Sequence, residues 1–158
     1  MRLKEWSALV VAIVASELAG VLGSVFTMPA IPTWYAGLVK PALNPPAWVF
    51  APVWTTLYFL MGVAAYLVWR KGWRRVSVKV ALGVFAGQLL LNVLWSLVFF
   101  GLHNISAGLV CIVALWMFIL ATMMAFARVS RAAAWLLLPY LLWVSFASYL
   151  NYSILMLN

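Results

Sequence analysis

Residues 80–101 read VALGVFAGQLLLNVLWSLVFFG, and this stretch decides the solvent in which the chain folds. It holds no charged residue. A hydrocarbon layer about 30 Å thick takes roughly 20 residues of helix to cross, and the run is long enough. Backbone groups in lipid must be satisfied within a helix or around a closed barrel. The run is continuous rather than alternating and exceeds a barrel strand, so it reads as a helix. Four further stretches share this character, near residues 7–26, 48–69, 106–126 and 132–157. The chain therefore reads as a single all-α membrane domain over 1–158, a bundle of five transmembrane helices.

Composition supports that solvent. Of the 158 residues 68% are hydrophobic and 8% charged, and the two acids are Glu5 and Glu17. A soluble domain carries about a quarter charged residues. The net charge of +8 does not signal nucleic acid, because the basic residues flank the spans and no soluble module presents them. Arg2 and Lys4 precede the first span. Arg70, Lys71, Arg74, Arg75 and Lys79 fill the second loop, and Arg128 and Arg131 the fourth. Only Lys40 lies on the opposite side. This bias predicts a multi-pass protein with a cytoplasmic N-terminus. The first stretch has the basic start and apolar middle of a signal peptide. It runs too long, carries Glu17, and is followed by no small-x-small cleavage site over 26–31, so it reads as a span. The lack of a targeting peptide points to a prokaryotic plasma membrane.

The loop over 27–47 contains Pro29, Pro32, Pro41, Pro45 and Pro46, which argue against a long regular helix there. It also carries Trp34, Tyr35, Leu38 and Leu43, and a short helical turn over 33–39 would set Trp34, Tyr35 and Leu38 near one face. Such a loop is either a lid that caps a pocket or an interfacial anchor. Pro139 is expected to kink the last span.

Polar residues inside the spans fall on stripes. Gln88, Asn92, Trp95 and Phe99 share one face of the third span; Trp143, Ala147, Asn151 and Ile154 share one face of the fifth, with Ser148 beside them; Trp54, Tyr58 and Met61 share one face of the second. Amides and indole N–H groups are costly in lipid, so the stripes are expected to turn inward. They would line either an aromatic cavity for a flat apolar ligand or ordinary interhelical hydrogen bonds. Glu17 lies mid-span, where an acid is neutral or paired. With no Lys or Arg inside a span, it is expected to be protonated and to donate to a neighbour, as a structural bond or as part of a proton relay. Gly83 and Gly87 form a small-xxx-small pair that reads as a homodimer face or as packing within the bundle. Cys111 reads as a packing residue, and His103 as a solvated side chain in an outer loop. There is no metal-ligand cluster, phosphate loop or paired carboxylate, so no catalytic residue and no metal site is assigned.

Several separate segments, in order, resemble the TspO/MBR family, which includes tryptophan-rich sensory proteins and the translocator protein. They are Trp34-Tyr35-Ala36-Gly37-Leu38-Val39-Lys40-Pro41, Asn44-Pro45-Pro46, Val53-Trp54-Thr55-Thr56-Leu57-Tyr58, Gly87-Gln88-Leu89, Leu91-Asn92, Trp95-Ser96, Phe99-Phe100-Gly101, Pro139-Tyr140-Leu141, Trp143, Phe146-Ala147 and Leu150-Asn151-Tyr152. The resemblance implies a five-helix bundle, usually a homodimer, whose first loop caps a pocket. It implies a porphyrin ligand such as protoporphyrin IX, with no obligatory cofactor, and in some bacterial members light-dependent porphyrin breakdown. The matching ligand-binding positions are Trp34, Tyr35, Trp54, Asn92, Trp95, Trp143, Ala147 and Asn151, with Trp54 and Trp143 carried over for porphyrin reactivity. Propionates would point to the outer mouth, where water or Lys40 would meet them. Two departures stand out. Leu43 occupies a position that is often aromatic, and no basic residue follows Tyr152, which argues against a sterol ligand. The function expected is that of a membrane receptor or sensor for tetrapyrroles; the alternative is a transporter or exporter of porphyrins or other apolar ligands.

Overall fold

The computed structural model describes residues 3–158, with side chains from Glu5 onward. Arg2 and the side chain of Lys4, on which part of the charge reading rests, lie outside the described residues. Helix α1 spans Leu3–Ala30 and continues into a π turn, Ile31–Tyr35. A 3-10 turn, Ala47–Val49, leads into α2, Phe50–Trp69; α3 covers Val76–Ser96 and ends in a π segment, Leu97–Gly101. Next come α4, Ile105–Ala127, α5, Arg131–Leu136, and α6, Leu138–Leu157. Five helical stretches, with α5 and α6 making the last, are long and apolar enough to cross a membrane. The helices close a ring: α1 lies against α2 and α3, α3 against α4, α4 against α5 and α6, and α2 against α5.

The outermost helix shows how lipid replaces water as solvent. Val10, Val11, Val14, Leu18, Val21, Leu22 and Val25 are exposed, while Ser16, Ala19 and Gly23 of α1 turn inward and are buried. With lipid as apolar as leucine, helices gain by close backbone approach, and small residues permit it. Gly20 accordingly lies against the Tyr58 ring, where an added Cβ would stand 2.6 Å from two ring carbons.

The first helix contains the expected span of 7–26 and extends past it into the start of the proline-rich loop. It runs on through Pro29, and Pro32 sits inside the π turn. Each proline removes a backbone donor. The donors lost are those that would have met the Val25 and Met28 carbonyls, and the π turn at Ile31–Tyr35 shifts the helical register just beyond them. The Thr33 hydroxyl donates to the Pro29 carbonyl at 2.7 Å and reaches that of Ala30 at 3.4 Å, and the Thr27 hydroxyl donates to Gly23 at 3.1 Å.

Beyond the π turn, the segment through Lys40 is held to the bundle. The Lys40 ammonium donates to the carbonyls of Tyr35, Ala36 and Leu38 at 2.8, 3.1 and 2.8 Å and lies 5.1 Å from the Tyr35 ring centre. It thus caps the extended helix and is already engaged by three carbonyls, contrary to its expected role as a partner for a ligand carboxylate. Asn158 accepts the Val39 N–H at 3.0 Å and donates to the Val39 carbonyl at 3.0 Å, tying this segment to the end of α6. The Lys40→Met variant is expected to raise amide exchange over 36–40 about tenfold, since hydrogen bonds to a charged group contribute about 1.5–3 kcal/mol. Exchange mass spectrometry in detergent reads this directly.

The last span is interrupted at the single residue Leu137, two residues before Pro139. Pro139 falls in the first turn of α6, where its missing donor has no intrahelical partner to lose. A Cβ added at Gly83 would meet nothing within 4 Å, whereas one at Gly87 would stand 3.0 Å from the Phe118 ring of α4. The two glycines therefore divide between outer surface and bundle packing. Cys111 is half-buried, its thiol 3.9 Å from the Leu91 carbonyl.

Candidate functional site

A cleft of about 240 Å³ opens between α1, α2 and α3. Ile31, Phe50, Trp54, Trp95 and Phe100 give it apolar and aromatic walls, while Glu17, Tyr58 and Asn92 supply polar groups. Its rim includes the exposed side chains of Val21, Met28, Ala51 and Thr55, so the opening faces sideways between α1 and α2.

The Trp54 ring organises the wall. Its centre lies 5.7 Å from that of Tyr58, 6.4 Å from Trp95 and 6.2 Å from Tyr140. Trp95 stacks on Phe99 at 5.7 Å and meets Phe100 edge-on at 5.7 Å. Such offset and edge-on pairs fix ring orientation, each contributing about 0.5–1.5 kcal/mol beyond area burial. The cleft wall is thus preorganised from within.

Behind the wall a hydrogen-bond chain crosses the bundle. Tyr58 donates to Asn92 Oδ1 at 3.0 Å, Asn92 Nδ2 donates to the Tyr140 hydroxyl at 2.6 Å, and Tyr140 donates to Gln88 Oε1 at 2.8 Å. Gln88 Nε2 ends the chain 3.6 Å from the Met61 sulfur. All four bonds point the same way, so they polarise one another. They direct the Tyr58 proton inward and leave that oxygen facing the cleft as an acceptor. Tyr140 is not among the residues that the polar stripes single out, although its spacing from Ala147 and Asn151 places it on their face.

The eight predicted ligand positions separate into three places. Trp54, Asn92 and Trp95 line the cleft. Asn151 is buried behind Trp95; it accepts the indole N–H at 3.3 Å and donates to the Ile105 carbonyl at 3.0 Å. Ala147 is buried on the same helix. Trp143 lies between Phe50 and Phe146, at 6.2 and 5.7 Å, and its buried indole N–H has no acceptor. None of Ala147, Asn151 and Trp143 lines the cleft. Trp34 and Tyr35 belong to the π turn after α1 and do not line the cleft. Trp34 stacks on His103 at 4.5 Å and meets Phe99 edge-on at 5.4 Å. His103, expected to be merely solvated, is therefore a stacking partner, held at φ 54°. Tyr35 is buried, its hydroxyl donating to Asn44 Oδ1 at 2.7 Å. Leu43 is 67% exposed and contributes nothing to the wall.

Glu17 also differs from expectation. Its side chain lines the cleft beside Tyr58, and among the described residues it makes no hydrogen bond to a neighbour. No metal-binding cluster occurs among the described residues.

A model of the TspO/MBR family matches residues 11–157. The chain is 55% identical over 139 residues to a tryptophan-rich protein TspO of Chlorobaculum tepidum, covering 88% of each. It is 48% identical over 151 residues to a tryptophan-rich protein TspO of Archaeoglobus fulgidus, covering 95% of this chain and 96% of the relative. It is 44% identical over 138 residues to the translocator protein of Bos taurus, covering 86% and 81%.

Proposed function

Because the chain belongs to the TspO/MBR family, we propose that it is an integral-membrane receptor for tetrapyrroles that takes an edge of the macrocycle into the α1–α2–α3 cleft. One observation carries this reading: Trp54 and Trp95 form an aromatic wall on a sideways opening, with Asn92 at its polar end. The cleft volume of 240 Å³ is below the roughly 300–1,000 Å³ of sites that enclose a drug-sized ligand. A porphyrin therefore inserts one edge and leaves the rest at the open rim. Its propionates turn toward the water-facing end, away from Glu17. Saturable quenching of tryptophan fluorescence by protoporphyrin IX tests the reading, and linear, non-saturating quenching refutes it.

Light-dependent breakdown is the further step; it starts when the photo-excited porphyrin takes one electron from the Trp54 indole, and dioxygen is the oxidant that then opens the ring. Illuminated protoporphyrin is expected to yield less product with Trp54→Phe than with the unchanged protein; equal yields remove Trp54 from the chemistry. Transport is the second reading, and the observation in its favour is the interrupted fifth span, since broken helices are common at transporter sites. Flux of labelled porphyrin into sealed vesicles separates the two. The bacterial and archaeal relatives favour a prokaryotic plasma membrane, and the charge pattern favours an N-terminus inside. A homodimer would use the open surface at Gly83: Gly83→Ile is expected to abolish crosslinked dimers while changing stability by no more than about 0.5 kcal/mol.

A further inference from the structure

The cleft carries a chemical polarity of its own. Of the five hydroxyls on its wall, all but that of Ser96 have already committed their protons elsewhere. Ser24 donates to the Val21 carbonyl at 2.7 Å, Thr27 to Gly23 at 3.1 Å, Thr55 to Ala51 at 3.0 Å and Tyr58 to Asn92 at 3.0 Å. Each leaves oxygen lone pairs, not hydrogen, available to a ligand. Glu17 adds the one ionisable acid, and among the described residues no Lys, Arg or His lines the cleft with it. An acid at this depth in lipid is neutral or paired. The wall around it offers no cation; its uncommitted donors are the neutral Ser96 hydroxyl and the Trp54 indole N–H.

We propose that the cleft binds amphiphilic organic cations, with a protonated amine against the Glu17 carboxylate and an aromatic or alkyl body against Trp54, Phe50 and Phe100. The ammonium supplies the donor that the neighbouring Tyr58 oxygen lacks, and the Trp54 indole on the same wall adds a cation–π attraction. The ligand class is opposite in charge to a porphyrin dicarboxylate, so this proposal stands or falls separately from the tetrapyrrole reading.

The test compares 1-pyrenemethylamine with neutral 1-pyrenemethanol in phosphatidylcholine proteoliposomes, reading the saturable part of tryptophan-sensitised pyrene emission. The unchanged protein is expected to bind the amine at least tenfold more tightly than the alcohol. In Glu17→Gln the preference for the amine is expected to vanish. Equal binding of the two probes by the unchanged protein, or a preference that survives Glu17→Gln, overturns the proposal. Should Glu17→Gln fail to fold, the unchanged protein still decides. The amine, and not the alcohol, is expected to protect Glu17 from dicyclohexylcarbodiimide, read by the mass of the modified peptide. Equal labelling with either probe overturns it.

Discussion

Gly62→Ala is expected to destabilise the bundle by about 3 kcal/mol or more, at or beyond the upper end of ordinary overpacking. The added Cβ would stand 2.5 Å from the Ile13 Cα, 2.9 Å from its backbone nitrogen and 3.0 Å from the Ala12 carbonyl oxygen. None of these atoms belongs to a side chain that can rotate away. Helix α1 would have to withdraw from α2, and the contacts of Gly20 on Tyr58 and of Gly23 on Ser96 lie farther along the same helix. The cleft is bounded by these two helices, so ligand binding should fall together with thermal stability. Gly83→Ala is the control, because nothing lies within 4 Å of that position, and a helical Gly→Ala change gains up to about 1 kcal/mol. Thermal melting of the two variants in one detergent gives the comparison. Similar melting temperatures would mean that α1 and α2 do not meet at Gly62.

The second large effect separates two tryptophans that the sequence treats alike. Trp54→Ala is expected to weaken saturable protoporphyrin quenching about tenfold or more, because it removes the ring that organises the cleft wall and because a ring pair contributes about 0.5–1.5 kcal/mol beyond its buried area. Trp143→Phe is expected to leave the affinity unchanged, since Trp143 does not line the cleft and its indole N–H makes no hydrogen bond that a phenyl ring would lose. Loss of affinity in Trp143→Phe, with Trp54→Ala unaffected, would move the ligand out of the α1–α2–α3 cleft and into the space beside Phe50 and Phe146.

The spans and the inward turn of the polar stripes are legible in the sequence because lipid enforces both: a long apolar run must be helical, and an amide must find a partner. Gln88, Asn92 and Asn151 are each buried as that rule demands. Spacing along one helix cannot say how that helix is rotated against its neighbours. Asn151 therefore carries the Trp95 indole instead of facing a ligand, and Trp143 shares a stripe with it yet lies apart from the cleft. The passage of α1 through Pro29 and Pro32 is hidden for another reason. Proline is a helix breaker by local rules, and here Pro32 sits inside a π turn that residue identity does not announce. Lys40 looks like a free charge in the sequence because the carbonyls that hold it come from backbone, which leaves no trace in residue identity. Glu17 stands out as unusual from its place in the span alone, but its lack of an internal partner shows only once the walls are packed.

The sideways rim between Val21 and Thr55 has a practical consequence for measurement. A ligand that enters there arrives from the acyl chains, so its occupancy follows its mole fraction in the bilayer. Dissociation constants written against aqueous concentration should then drift upward as more lipid is added at fixed protein, and should collapse onto one value when rescaled to ligand per lipid.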